Sequence, residues 1–112
     1  MHTPLRYQVI EHVTVLIALA RFLVEVIQRR DRDLASQIRR ALSSTGLNIA
    51  EGFGNDAGNA RLRFRTARGS LYEAQTGIRL AIAWAHVTEA QAQATLESLD
   101  DLGARIYGLS KS

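Results

Sequence analysis

Apolar side chains recur along this chain at intervals of three and four residues, the spacing of a helix that buries one face. Val9, Val13, Leu16, Ala20, Leu23 and Ile27 predict a first helix over residues 5–28. Leu34, Ile38, Ala41, Leu42, Thr45 and Ile49 predict a second over 34–52. Phe64, Ala67, Leu71, Ala74, Ile78, Ala81 and Ala85 predict a third over 57–86. Ala92, Leu96, Leu99, Leu102 or Gly103, Ile106 and Leu109 predict a fourth over 89–109. No strand pattern and no long repeat interrupts them. Four amphipathic helices on short links bury their stripes only against one another, so the expected fold is all-α: an antiparallel up-down-up-down four-helix bundle forming one domain over 1–112.

The residues between these stripes punctuate them. Thr88-Glu89-Ala90-Gln91 reads as a capping box that opens the fourth helix. Asn55 or Asp56 suits the N-cap of the third. Gly52 and Gly54 are expected to end the second helix by taking a left-handed conformation. Gly46 lies inside that helix, where glycine costs about 1 kcal/mol relative to alanine, and predicts a kink or a close backbone approach.

The first helix carries a second apolar row: Val15, Leu19, Phe22 and Val26. At about 100° per residue it lies about 160° from the core row. One bundle buries only one of these rows well, so the second predicts an oligomer interface. The alternative is a central first helix, covered on both sides by the other three.

Charge sharpens the picture. The net charge of +3 is unevenly placed: residues 1–28 balance, residues 29–68 sum to +5, and residues 69–112 sum to −2. All but one of the 14 bases are arginine, whose planar fork matches phosphate and carboxylate. On the third helix Arg61, Arg65, Arg68, Tyr72, Gln75 and Arg79 share one face, a stripe about 27 Å long at 1.5 Å per residue. A polyanion or an acidic partner fits such a stripe. The chain has no cysteine, which excludes disulfides and thiolate metal sites. The Met-His-Thr-Pro start lacks the features of a signal peptide, and Arg21 and Glu25 break the apolar run from Val13 to Ile27. The expectation is a cytoplasmic protein with no membrane partner.

Candidate chemistry is thin. His2, His12 and His86 stand in no metal-binding spacing, so neither a metal nor another cofactor is expected. Arg79 and His86 resemble the paired arginine and histidine of HEPN-type ribonucleases, with His86 as general base and Arg79 stabilising phosphate charge. Leu80 stands where that family usually has a polar residue, and a basic stripe ending in a histidine near a helix C-terminus accounts for the same pair. Asn48 and Glu51 share a face of the second helix, as Ser70 and Glu73 do on the third. These four are expected to form a structural polar network that fixes helix register.

Several blocks carry a resemblance. Gln37-Ile38-Arg39-Arg40-Ala41 with Ser44, then Asn48-Ile49-Ala50-Glu51-Gly52-Phe53-Gly54, then Phe64, Ala67-Arg68-Gly69-Ser70-Leu71 and Glu73 occur in order. Together they resemble the signature of a four-helix bundle family named for proteins encoded in intervening sequences of 23S ribosomal RNA genes. That family includes the accessory variability determinants of diversity-generating retroelements. The resemblance implies a homopentameric barrel, association with nucleic acid, and, for retroelement members, a reverse transcriptase as partner. It implies no enzymatic activity and supplies no list of binding residues. Two departures stand out. Gly46 and Leu47 replace the Pro and Ser of a Ser-Ile-Pro-Ser-Asn block, and the charged stretch Arg29 to Asp33 replaces a Phe-Pro link.

The functional expectation is a non-enzymatic, self-associating bundle that binds nucleic acid, RNA in particular, through Arg61, Arg65, Arg68 and Arg79, with Tyr72 stacking on a base. The rival expectations are an adaptor for an acidic protein such as a reverse transcriptase, and the Arg79–His86 ribonuclease.

Overall fold

The computed structural model describes residues 3–111, and His2 lies outside them. Among the described residues the structure consists of four α-helices and no strand: α1 (Leu5–Arg30), α2 (Arg32–Phe53), α3 (Ala57–Ala83) and α4 (Glu89–Ser110). Contacts between helices fix their sense. Between α2 and α3, Ile38 lies against Gly77, Ser44 meets Ser70, and the Gly52 backbone lies against Phe64. Partners advance along one helix as they retreat along the other, so the pair is antiparallel. Gln75 with Asp100 and Arg68 with Tyr107 give the same result for α3 and α4. Each helix packs on the next in sequence, and α1 closes onto α4.

The core is the one the apolar spacing predicts. Leu16, Ile27, Ile38, Leu71, Ile78 and Leu99 are fully buried within it. Each such side chain contributes about 1.5–3 kcal/mol by leaving water. Two glycines let α2 and α3 approach closely. A Cβ on Gly77 would lie 2.6 Å from Ile38 Cγ1, and one on Gly52 would lie 2.7 Å from Phe64 Cδ1. The Phe64 ring, seated over Gly52, meets Phe53 edge-on with centroids 5.2 Å apart.

The links differ from expectation in three places. The charged turn between the first two helices shrinks to Asp31 alone. Its backbone N–H closes α1 on the Ile27 carbonyl, and its Oδ1 accepts from Leu34 N at 3.0 Å, capping α2. One side chain that suits an N-cap therefore lets both helices run longer than 5–28 and 34–52. Gly54 does cap α2, but at φ −94°, with its N–H donated to the Ala50 and Glu51 carbonyls rather than in the left-handed region. Gly52 serves the packing of Phe64 instead. The helical run continues unbroken through Gly46, which marks a close approach, since a Cβ there would meet Val13 Cγ1 at 3.0 Å.

The third departure is the end of α3. The helix stops at Ala83, because Ala85 turns to φ 62°. His86 N donates to the Ala81 carbonyl and Ala85 N to the Ile82 carbonyl, both at 2.9 Å, which is a Schellman cap with alanine in the usual glycine position. Ala85 is therefore exposed, and Val87 takes the buried place. The caps at Asp56 and Thr88 form as their residue types suggest; Thr88 and Gln91 bond reciprocally.

Candidate nucleic-acid interface

The α2–α3 seam is held by a hydroxyl pair. Ser44 Oγ and Ser70 Oγ lie 2.8 Å apart, and Asn48 Nδ2 donates to both the carbonyl and the hydroxyl of Ser44. Asn48 and Ser70 thus join through Ser44, a residue the polar spacing does not single out. The two expected carboxylates lie elsewhere. Glu51 sits on the exposed side of α2 and pairs with Arg63 at 3.1 Å, both more than 45% exposed. Glu73 lines a separate groove with Leu34, Gln37 and Tyr72. Water solvates a carboxylate far better than a dry seam does, so hydroxyls and an amide take the register position.

Outside this seam α2 presents a shallow depression. Arg39 and Arg40 from α2 and Arg63 from α3 line it, together with Ser43, Leu47, the Ser44–Asn48 pair and the carboxylate of Glu51. Three guanidinium groups and several hydrogen-bonding groups therefore converge from two helices. Arg39 is held by the Gln28 side-chain carbonyl and Arg63 by Glu51, so both are positioned before any ligand arrives. Arg40 is exposed and forms no ion pair among the described residues. The arrangement suits phosphate oxygens, which accept from arginine forks and hydroxyls alike.

The side chains of the α3 stripe are divided among different neighbours. Arg65 and Tyr72 are exposed, and Arg61 is half-buried. Arg68 turns toward α4, its guanidinium 5.1 Å from the Tyr107 ring centroid. Gln75 donates to Asp100 of α4 at 2.8 Å. Arg79 pairs with Glu89 at 3.5 Å, beside Glu97 and Asp100. Acids of α4 thus offset the C-terminal half of the stripe. The spacing on α3 alone gives no warning of this, because the acids lie on another helix.

Arg79 and His86 are likewise engaged separately. His86 Nε2 lies 3.3 Å from Asp31 Oδ2, on the link between α1 and α2. Arg39, Arg40 and Arg63, which line the depression, lie outside the residues that stripe analysis selects. Their signal is the net positive window 29–68, which spans both helices, and Arg63 escapes notice because it stands off the three-four spacing of the stripe.

Among the described residues no group of three or more histidines or carboxylates stands ready to hold a metal ion. No helix among them is long and apolar enough to cross a membrane.

Four packed helices with arginines gathered on the outside of α2 define a small helical-bundle protein. The chain belongs to the 23S rRNA-intervening sequence protein family, whose model matches residues 11–108. The match takes in all of α2 and α3. Searches of curated proteins and of solved structures return no match.

Proposed function

We propose that this protein is a non-enzymatic, self-associating bundle that binds RNA through the outer face of α2. The supporting observation is the depression lined by Arg39, Arg40 and Arg63. Contacts to phosphate from these residues give affinity without base readout. Leu47, two-thirds exposed in the same depression, offers an apolar surface to a ribose or base edge. Self-association is supported by the exposed row on α1, where Val15, Leu19 and Phe22 are 56, 43 and 64% accessible. The family resemblance favours five copies, and a ring of identical faces raises avidity for a long polyanion.

RNA affinity measured against salt tests this reading. Each phosphate neutralised on a single strand contributes about −0.7 to the slope of log K against log salt. Arg40→Gln, which removes the arginine of the depression that has no carboxylate partner, should therefore flatten the slope by about 0.7 and weaken binding. An unchanged slope and affinity would remove the α2 face. Failure of the wild type to bind any RNA at low salt would favour the acidic protein partner instead. A sedimentation mass near five times 12.4 kDa is the expected assembly.

A further inference from the structure

A second recess opens on the other side of Arg39 and Ser43. It is a cleft of about 350 Å³ between α1 and α2. Ala20, Val24 and Leu42 are buried and form its floor, and Ile17 and Ala18 of α1 form a wall. Ala18, with only a methyl group, leaves the opening unfilled.

Polar groups stand around this apolar floor. Arg21 from α1 and Arg39 from α2 bring one guanidinium each, and Thr14 and Ser43 bring hydroxyls. No carboxylate lines the cleft, in contrast to the neighbouring depression with its Glu51. Arg21 forms no ion pair among the described residues, and its guanidinium lies 5.1 Å from the Phe22 ring centroid. Thr14 Oγ1 donates to the Glu11 carbonyl at 2.9 Å, so its lone pairs remain for an incoming N–H.

Cleft and depression are neighbours around α2. Arg39 and Ser43, four residues apart on one face, form the ridge between them, with Leu42 on one side and Arg40 and Leu47 on the other. The size of the cleft is at the lower end for small-ligand sites, about 300–1,000 Å³, which suits a flat ring system. Its two guanidinium groups, with no acid opposite, suit a ligand that carries negative charge beside that ring.

We infer that the cleft receives one unpaired base of the RNA whose backbone lies in the depression. The strand crosses the ridge: phosphates rest on Arg39 and Arg40, and the adjoining base turns inward over Val24 and Leu42. Proteins that recognise single-stranded RNA hold splayed bases against aromatic rings or arginine planes. Here Arg21 supplies the plane, and the hydroxyls of Thr14 and Ser43 meet the base edge. This rests on the RNA reading above and narrows its ligand to a single strand, because a duplex keeps its bases paired. The row assigned to self-association does not cover the site: at about 100° per residue, Leu19 lies about 160° round α1 from Arg21.

Phosphate contacts alone favour a duplex, which carries one charge per about 1.7 Å of axis. The cleft reverses that order. Fluorescence anisotropy should show the wild type binding a single-stranded oligoribonucleotide about tenfold more tightly than the same sequence in a duplex at equal salt. Ala18→Phe fills the opening and keeps every arginine. Its affinity for the single strand should fall about tenfold, while its salt slope, its duplex affinity and its thermal melt stay as in the wild type. Arg21→Gln, at an exposed position, carries the test if Ala18→Phe fails to fold. It should weaken single-strand binding without changing the salt slope, since Arg21 faces a base. Equal wild-type affinities for single strand and duplex, a folded Ala18→Phe that binds as the wild type does, or a slope flattened by about 0.7 in Arg21→Gln would each overturn the cleft. The phosphate face, which Arg40→Gln reports, would survive any of these. A wild type that binds no RNA would overturn both.

Discussion

His86 Nε2 stands 3.3 Å from Asp31 Oδ2, which fastens the α3–α4 link to the α1–α2 link at one end of the bundle. The same carboxylate caps α2 through its other oxygen. A histidine that sequence spacing offers as a general base thus has a structural partner. Arg79, its supposed companion, is held by Glu89.

His86→Ala is expected to cost about 1 kcal/mol in urea unfolding, the value of one half-buried hydrogen bond or ion pair. Asp31→Ala should cost more, about 1–2 kcal/mol, because it removes the helix cap as well. Wild-type protein should leave RNA intact after long incubation. Cleavage that His86→Ala abolishes would reinstate the ribonuclease.

Three glycines should respond differently to alanine. At Gly77 and Gly52 the new methyl meets Ile38 or Phe64 inside contact distance, so each change should destabilise by about 1–3 kcal/mol despite the better helix propensity. At Gly69 the methyl meets nothing within 4 Å, and the monomer should gain up to about 1 kcal/mol. Thermal melts of the three variants side by side are the check.

Ala85 occupies a backbone region that favours glycine, at φ 62°. Ala85→Gly should therefore stabilise the fold by about 1 kcal/mol, with no change in helix content by circular dichroism. A loss of stability would mean that the Schellman cap does not form in solution.

Arginines on the two helices should differ in their effect on RNA. Arg79→Ala should leave affinity within about twofold, because Glu89 already offsets that charge. Arg40→Ala should reduce the salt slope by about 0.7. Equal effects in a salt titration would argue against the α2 face.

The fold was legible because core position follows periodicity. Val9 to Ile27 and Phe64 to Ala81 are buried as their spacing requires. What spacing could not reveal depends on a second element. Gly52 looks like a helix terminator until Phe64, eleven residues after Phe53, is seen lying over it. Asn48 and Ser70 announce a polar seam, but their meeting point at Ser44 depends on the register of two helices. Arg79 looks like part of a phosphate-binding stripe until α4 brings Glu89 beside it. The exposed row on α1, Val15, Leu19 and Phe22, was plain in the chain because it needs no second element to be seen.

The uneven packing of the four helices has a consequence for how the molecule opens. The α2–α3 interface is the most extensive and is drawn tight at Gly52 and Gly77, while α1 against α4 is the sparsest. Amide protons at the centre of α2 and α3 should then exchange last, and those of α1 should exchange through smaller, more frequent openings. A neighbouring copy seated along Val15 to Val26 would hold down one of the two more loosely attached helices, α1 and α4. Slower exchange in α1 and a higher melting temperature should then appear together as protein concentration rises, so that the number of molecules present helps set how firmly each one stays folded.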